Sequence, residues 1–182
     1  LSDAGYEQYE ISNFAKPGYA CRHNIGYWQR ANYLGLGIGA ASLMENIRYT
    51  NVSDLYKYLE KTVYIKEELR RTAAPGSGDV ADQAACRQSA QVIPATNLHE
   101  TAERIPRKAQ MEEFMFLGLR MTDGVSRERF AQNFGTEIEA VYQDVMQSLK
   151  QEGLLAKRAG QIFLTKRGQE VSNYVLAQFL LL

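Results

Sequence analysis

The sequence predicts an α/β fold in its first part and a mostly helical domain in its last part. Up to about residue 71, segments of strand type alternate with segments of helix type. From about residue 107, apolar residues recur at helical spacing and a hairpin pattern follows. Between them, residues 72–106 show no clear apolar period and are rich in Ala, Gln, Ser and Thr. We therefore predict three parts: 1–71, a linker or insertion at 72–106 with disorder as an open alternative, and 107–182.

The first part begins with a strand, a turn and a helix. Tyr6, Tyr9 and Ile11 are β-favouring residues and predict a strand over 6–12. The tripeptide Lys16-Pro17-Gly18 predicts a turn. Residues 24–32 are then expected to form a short helix.

A glycine-rich segment follows, and its apolar content predicts a strand over Leu34–Ser42. Glycine at every second position would leave bare backbone along one face, where a ligand or another part of the chain could come close. Next, Glu45-Asn46 predicts a two-residue turn between apolar segments. Ser53 is expected to cap a helix that runs to about Leu69.

The last part shows helix-start and helix-stop signals in sequence. Apolar residues recur at helical spacing in its first predicted helix, namely Met111, Phe114, Met115 and Leu119. Ser126 predicts the cap of a second helix that contains Phe130 and Phe134 and stops at Gly135. Thr136-x-x-Glu139 predicts a capping box for a third helix, which Gly153 ends.

The chain then predicts a β-hairpin around Ala159-Gly160, followed by a final helix capped by Thr165. Three helices, a hairpin and a helix are the order of a winged-helix-like domain. A nucleic-acid-binding module is therefore one alternative function. The expected recognition helix argues against it, because Glu137, Glu139, Asp144 and Glu152 outnumber Lys150 there and would repel phosphate.

Composition narrows the class of protein. The 182 residues are 45% hydrophobic with 21 basic and 21 acidic side chains, so a packed core is expected and no net charge favours nucleic acid or anionic membrane. Two cysteines, Cys21 and Cys86, do not make a disulfide framework, and we expect a cytoplasmic location. Cys21 is expected to be a buried or half-exposed thiol. No apolar run approaches the roughly 20 residues that span a bilayer.

Five separated motifs occur along the chain, namely Tyr9-Glu10-Ile11-Ser12-Asn13-Phe14-Ala15-Lys16-Pro17-Gly18, His23-Asn24-x-x-Tyr27-Trp28, Gly35-Leu36-Gly37-Ile38-Gly39-Ala40, Arg48-Tyr49-x-Asn51 and Glu113-Phe114-Met115-x-Leu117-Gly118-Leu119-Arg120. In this order they resemble the HemW family of radical S-adenosylmethionine (SAM) proteins, a group also described as oxygen-independent coproporphyrinogen III oxidases. The resemblance implies that 1–71 is the open end of a radical-SAM barrel and that 107–182 is a HemN-type C-terminal domain, winged-helix-like.

The family's Cys-x-x-x-Cys-x-x-Cys motif, which holds a [4Fe–4S] cluster, does not occur in this sequence. We therefore expect the chain to be the C-terminal portion of a longer protein. The resemblance implies SAM and the cluster as cofactors of that protein. The chain alone is expected to be inactive, and no catalytic residue is assigned.

The resemblance implies a heme site on the helix at 24–32. His23 maps onto the family's heme ligand, and the rings of Tyr27 and Trp28 would pack against the porphyrin. The alternative is a histidine held by a hydrogen bond near a helix start.

The resemblance also implies that SAM lies beside Gly37, Gly39 and Ala40, where small residues leave room for the nucleoside. The alternative is close packing of a strand on a helix without a ligand. A dinucleotide site is excluded, because the strand–loop–helix context of a Rossmann turn is missing.

The resulting hypothesis is a heme chaperone that binds heme and transfers it. Its expected partners are heme or another porphyrin, heme-accepting proteins and the membrane periphery, with no nucleic acid. The alternative is oxidative decarboxylation of coproporphyrinogen III. An exposed sheet edge in the first part also predicts self-association of the chain. His99 and Cys86 receive no role, and His99 is expected to be solvated on a mobile segment.

Overall fold

A computed structural model of the chain describes residues 1–62 and 98–181. The chain forms two compact units, one made of residues 1–32 and 105–182 and the other of residues 33–104. The first unit thus combines both ends of the sequence. This grouping differs from the predicted three-part order, because residues 1–32 pack with the C-terminal part through the ion pairs described below.

The N-terminal segment of the first unit contains a small hairpin and a short helix. A 3₁₀ turn at Ser2–Ala4 precedes strand β1, Glu7–Glu10, which pairs antiparallel with β2, Asn13–Ala15. The turn predicted at Lys16 is confirmed, since the Tyr19 N–H donates to the Lys16 carbonyl at 2.9 Å. Helix α1 spans Arg22–Trp28, so the predicted helix is present but starts earlier and ends earlier than expected.

The C-terminal segment of the first unit contains five helices and a three-stranded sheet among its described residues. Its elements are α3 (Arg107–Gly118), β6 (Val125–Ser126), α4 (Arg127–Phe134), α5 (Ile138–Gln151), β7 (Leu155–Arg158), β8 (Gln161–Leu164), α6 (Lys166–Glu170) and α7 (Ser172–Ala177). The sheet order is β6-β8-β7, and both pairs are antiparallel. The predicted hairpin turn is confirmed, with Ala159 at φ 48° and Gly160 at φ 78°.

Local capping signals in this segment predicted the helix ends well. The Ser126 hydroxyl accepts a hydrogen bond from the Arg129 N–H at 3.2 Å, and Gly135 ends α4 in the left-handed conformation at φ 60°. The Thr165 hydroxyl accepts from the Gly168 N–H at 3.0 Å. The final helix is confirmed as two pieces, α6 and α7.

The capping box predicted at Thr136 is wrong. Helix α5 begins after Glu137, which makes no side-chain cap bond. The Glu139 carboxylate instead lies 2.9 Å from both Arg127 Nε and Lys157 Nζ. Burial acts to raise the pKa of Glu139, but the hydrogen bond from Lys157 and the two cations outweigh it and hold that pKa below its ordinary value. The carboxylate therefore bridges α4 to the hairpin rather than capping its own helix.

The core of the first unit lies between the C-terminal helices and the sheet. Its buried side chains are Phe114, Met115, Leu119, Val125, Phe130, Phe134, Ile138, Tyr142, Met146, Leu149, Leu154, Leu155, Ile162, Leu164, Val175 and Phe179. Phe130 is at its centre, with ring centroids 5.4 Å from Phe114 and 4.7 Å from Phe134. Aromatic pairs at these distances add stability beyond the area they bury.

The second unit is built on a sheet of three antiparallel strands. These are β3 (Ala41–Met44), β4 (Ile47–Asn51) and β5 (His99–Arg104), in that order. The predicted turn between β3 and β4 is confirmed, with Glu45 at φ 48° and Asn46 at φ 65°. Positive φ at both central residues matches the twist of the flanking strands.

Helix α2 begins at residue 55 and continues to the end of the first described range at residue 62. Its cap is Asp54, whose carboxylate accepts from the Lys57 N–H at 2.8 Å. The predicted cap, Ser53, instead hydrogen-bonds the Glu100 carboxylate at 3.1 Å. The rest of the helix predicted to reach Leu69 lies outside the described residues.

Two predictions for the second unit are wrong. The segment 34–40 is a loop rather than a strand, because Gly37 and Gly39 adopt positive φ of 100° and 63°. Residues 99–104, predicted as part of a linker, form β5 and pair with β4. The strand was missed because its residues, His-Glu-Thr-Ala-Glu-Arg, carry almost no apolar side chains. The remainder of the predicted linker, 72–97, lies outside the described residues.

The chain is a mixed α/β protein, as predicted. Within residues 1–62 and 98–181, however, every paired strand runs antiparallel to its neighbour. The short turns that join β1 to β2, β3 to β4 and β7 to β8 allow only this direction for those three pairs, since parallel strands need a long crossover. The parallel sheet expected of a barrel end is therefore not seen in this part of the chain.

Candidate functional site

Helix α1 presents a histidine and a tyrosine on one exposed face. His23 and Tyr27 are four residues apart, a spacing that puts side chains over one another on a helix. Their ring centroids lie 4.6 Å apart with the planes at 76°, and 38% of the Tyr27 surface is exposed. His23 is also exposed. A ligand can therefore reach the imidazole, and the edge contact with Tyr27 restricts the orientations of both rings.

Trp28 occupies a different environment from Tyr27, its neighbour in sequence. The Arg120 guanidinium carbon lies 4.4 Å from the centroid of the Trp28 ring. Trp28 is half-buried and borders a small cavity of about 30 Å³, together with Phe114, Gly118 and Met121. One face of the indole is thus covered by the guanidinium. The predicted role of Trp28 as a flat surface for a porphyrin has to be shared with this packing role.

A buried carboxylate places that guanidinium. Arg120 Nη2 donates to Glu10 Oε1 at 2.6 Å, and the Glu10 side chain is 1% exposed. The other Glu10 oxygen accepts from the Ser12 N–H at 3.0 Å and from Asn13 Nδ2 at 2.6 Å. Both oxygens are therefore bonded. A buried carboxylate with a cationic partner and additional donors meets the conditions under which burial of a charge is tolerated.

A second ion pair ties the end of α1 to α3. Arg30 Nε lies 2.6 Å from Glu113 Oε2, and the two side chains are only 10% and 11% exposed. Arg30 adopts a positive φ of 57°, an uncommon conformation for a residue other than glycine. The position of α1 therefore depends on residues far away in sequence.

Sequence reasoning missed Glu10, Arg120, Arg30 and Glu113 as parts of the site. In the sequence, Glu10, Glu113 and Arg120 stand only as members of the motifs that resemble the family, and Arg30 stands in none of them. Alternation along β1 gave no signal for Glu10, because Tyr9 and Ile11 are the apolar residues there and the buried Glu10 lies between them.

In the second unit, the glycine-rich loop is held by Asn51. Its Nδ2 donates to the Gly35 carbonyl at 3.2 Å and to the Gly37 carbonyl at 2.9 Å. The Gly39 N–H donates to the Val52 carbonyl at 3.1 Å. A Cβ at Gly35 would lie 2.2 Å from the Ala41 carbonyl oxygen, so this glycine is required for close approach of the backbone.

The side chains between the glycines face solvent. Leu34, Leu36 and Ile38 are 62%, 84% and 49% exposed. A Cβ built on Gly37 or Gly39 would meet nothing within 4 Å. The space beside these two glycines is consistent with the expected SAM contact at Gly37, Gly39 and Ala40, which stays a prediction. These residues belong to one compact unit, and His23, Tyr27 and Trp28 belong to the other.

Two expectations about single residues need correction. His99 lies on β5 with its ring centroid 4.1 Å from that of Tyr49, a buried residue, and burial lowers the pKa of His99. It is therefore a packed residue of the sheet rather than a solvated one. Cys21 is an exposed thiol rather than a buried or half-exposed one, because it immediately precedes the exposed start of α1. Cys86 lies outside the described residues.

Within residues 1–62 and 98–181, no three His, Cys, Asp or Glu side chains are placed to hold one ion. This part of the chain therefore does not fit a [4Fe–4S] cluster, which needs thiolate ligands. His23 can supply a single nitrogen, which is enough for one axial position on an iron already held by a porphyrin.

The Asn51 contacts lead to a testable expectation. Asn51→Asp replaces the donating amide by a carboxylate of the same shape, which repels the carbonyls of Gly35 and Gly37. We expect a loss of about 1–3 kcal/mol in unfolding free energy, the usual cost of leaving buried polar groups unpaired. Urea unfolding followed by circular dichroism measures it. Asn173→Asp, the same change at an exposed position, should alter stability by less than about 0.5 kcal/mol. Equal midpoints for the two variants would show that Asn51 does not hold the loop.

Comparison with known proteins places this geometry in a family context. Residues 105–171 match the HemN C-terminal domain. The chain is 33% identical over 181 residues to the heme chaperone HemW of Lactococcus lactis subsp. lactis (strain IL1403), covering 100% of this chain and 39% of that protein. It is 32% identical over 176 residues to the heme chaperone HemW of Bacillus subtilis (strain 168), covering 97% of this chain and 38% of that protein. The predicted resemblance is confirmed, and the chain spans about two fifths of the length of these relatives.

The fold also has a solved counterpart. The coproporphyrinogen III oxidase HemN from Escherichia coli, described as a radical SAM enzyme, superposes with a TM-score of 0.60 over 99% of this chain and 38% of that chain. The two share 14% sequence identity, so this likeness shows the fold alone. In the described ranges, no helix combines the length and the apolar character needed to cross a membrane.

Proposed function

Because the chain belongs to the HemW-like proteins and contains a HemN C-terminal domain, we propose that it is the C-terminal, heme-binding portion of a longer heme chaperone. The observation that carries this proposal is the exposed His23–Tyr27 pair on α1, with ring centroids 4.6 Å apart. A neutral imidazole is a strong axial ligand for heme iron. Heme is here the cargo, and its transfer to acceptor proteins is the function proposed.

The roles of the site residues follow from their exposure. His23 would donate a nitrogen lone pair to the iron, and Tyr27 would lie at the edge of the porphyrin while restricting the histidine ring. Trp28 would support the same helix from the other side, with its remaining free surface contributing apolar contact. An exposed ligand suits a carrier, because a cargo held at the surface can be passed on without opening a core.

We further propose that SAM and a [4Fe–4S] cluster belong to the rest of the longer protein, with Gly37, Gly39 and Ala40 lying beside the SAM nucleoside. A bound cluster would supply an electron to SAM. The residues of this chain would only provide space next to the nucleoside, at the two glycines where an added Cβ would meet nothing within 4 Å. In this proposal residues 1–71 complete a barrel in the longer protein, and 107–182 form a winged-helix-like domain.

The alternative activity, which the resemblance of the sequence motifs also implies, is oxidative decarboxylation of coproporphyrinogen III. The full-length protein can be assayed with SAM and coproporphyrinogen under anaerobic conditions. We expect no formation of protoporphyrinogen, and turnover would overturn the chaperone proposal. A nucleic-acid-binding role is disfavoured by the acidic residues of α5. A cytoplasmic location, peripheral membrane contact and self-association of the chain remain predictions.

The heme proposal predicts different main effects for two residues of α1, His23 and Trp28. His23→Ala removes the proposed ligand but little packed surface, so heme affinity should fall while the fold survives. Trp28→Ala should lower the unfolding free energy, by less than the loss of about 3–5 kcal/mol that is typical of a fully buried aromatic, because Trp28 is half-buried. Heme titration by absorbance on the full-length protein measures the change in heme affinity. Unfolding followed by circular dichroism measures the change in stability and serves as the folding control.

The chain has two histidines, His23 and His99, which offers a matched control. His99→Ala makes the same change at a residue packed on Tyr49, and it should leave the Soret band and the heme affinity unchanged. If His23→Ala also leaves both unchanged, His23 is structural and the proposed ligand assignment is wrong.

A further inference from the structure

We infer that Arg120 is a positioning residue for the proposed heme site, acting through Trp28 on the His23–Tyr27 face of α1. This inference rests on the proposed function for its ligand, but not for its geometry. The guanidinium carbon of Arg120 lies 4.4 Å from the centroid of the Trp28 ring. Arg120 lies two residues after the end of α3, and more than ninety residues along the chain from α1.

Helix α1 cannot set its own orientation. It has only seven residues, and the side chain of its N-cap residue, Cys21, makes no capping hydrogen bond. A helix of this length is marginal by itself, so contacts outside the helix must fix its position. Trp28 is at its last turn, directly after Tyr27, and successive residues on a helix are separated by about 100° of rotation. Holding the Trp28 indole therefore fixes the direction in which Tyr27 and His23 point.

Arg120 in turn has little freedom. Its Nη2 is bonded to the buried Glu10 carboxylate at 2.6 Å, and its carbonyl accepts the Ile11 N–H at 3.0 Å. Its side chain is 26% exposed. The guanidinium is thus fixed by a carboxylate through Nη2 while its carbon lies over the indole ring. The planar guanidinium of arginine can hydrogen-bond at its edge and stack on an aromatic ring with its face. The ammonium group of lysine is not planar and cannot do both.

The chain of contacts Glu10–Arg120–Trp28 therefore connects the core of the first unit to the exposed face of α1. Arg120 need not touch the ligand to affect its binding. Groups that orient a metal ligand from outside typically change affinity about 10–100-fold when they are replaced. This comparison sets the size of the effect expected here.

The test is Arg120→Lys in the full-length protein, which keeps the charge and loses the planar stack. Heme titration should show about a tenfold loss of affinity and a changed Soret band, in the range expected for a displaced ligand. Trp28 is the single tryptophan of this 182-residue chain, so the emission spectrum of this chain by itself, without heme, reports directly on the contact between Arg120 and the indole. We expect a shifted emission maximum and faster hydrogen exchange in residues 22–28, with an unchanged far-ultraviolet circular dichroism spectrum.

Arg167→Lys is the matched control, since Arg167 is exposed on α6, and it should change none of these readouts. The inference is overturned if Arg120→Lys leaves the Trp28 emission and the exchange of residues 22–28 as in the wild type. It is also overturned if those readouts change while heme affinity does not, and His23→Ala does lower that affinity. If His23→Ala has no effect on heme but Arg120→Lys shifts the heme-free readouts, the positioning of α1 is upheld and the proposed ligand is wrong.

Discussion

Glu10→Ala is expected to lower the unfolding free energy of the protein by about 3 kcal/mol. The replacement leaves the Arg120 cation without its carboxylate, and removal of one partner from a buried pair typically costs about 3–5 kcal/mol. The lower end applies because the Arg120 side chain is 26% exposed and can be partly hydrated. Two further donors, the Ser12 N–H and Asn13 Nδ2, also lose their acceptor. Urea unfolding followed by circular dichroism and by Trp28 emission measures the loss.

Two comparisons separate the ion pair from a general effect of the substitution. Glu7→Ala, an exposed glutamate on the same strand, should change stability by less than about 0.5 kcal/mol. The double variant Glu10→Leu with Arg120→Met should be more stable than Glu10→Leu alone, because both charges are removed together. If Glu10→Ala is as stable as Glu7→Ala, the buried pair does not join the N-terminal segment to the C-terminal domain.

Gly124→Ala is expected to be the most damaging glycine replacement at the sheet, with a loss of about 3–5 kcal/mol. Gly124 has a φ of 70°, which an alanine adopts only with strain. An added Cβ would also lie 2.0 Å from the Ile162 carbonyl oxygen on β8. Relief of that contact requires the backbone itself to move, since no flexible side chain can turn away. The pairing of β6 with β8 beside the core would then be disturbed.

Gly160→Ala isolates the two causes. Gly160 has a similar φ of 78° in the β7–β8 turn, but a Cβ there meets nothing within 4 Å. Its replacement should cost only the conformational part, about 1 kcal/mol. Thermal unfolding of both variants provides the comparison. Equal losses would indicate that the sheet at Gly124 shifts freely, contrary to the close packing seen there.

The success of sequence reasoning depended on the range of the interactions. The cap at Ser126, the helix end at Gly135 and the turn at Ala159-Gly160 are decided by residues within a few positions, and all three are confirmed. The capping box failed because Glu139 has a stronger partner, Lys157, eighteen residues away. The loop at 34–40 was predicted as a strand because the residue that holds it lies farther along the chain. Asn51, which donates to two of the loop's carbonyls, is at the end of β4, beyond β3 and a turn.

The same distinction applies to the candidate site. The spacing of His23 and Tyr27 placed both on one helix, and the structure brings their rings into contact. The surroundings of Trp28 could not be predicted, since they depend on a glutamate and an arginine that are 110 positions apart in sequence. Motifs from the two ends of the chain were found as separate signals. Their contact in three dimensions gives a physical reason for their occurring together.

The joining of residues 1–32 to residues 105–182 in one unit has a consequence for chain length. The segment 33–104 closes a loop whose two ends meet at the Arg30–Glu113 and Glu10–Arg120 ion pairs. The entropy lost in closing a flexible loop grows only with the logarithm of its length, so doubling the loop costs about 0.6 kcal/mol. The number of residues between the two parts of the first unit should therefore have little effect on the stability of that unit.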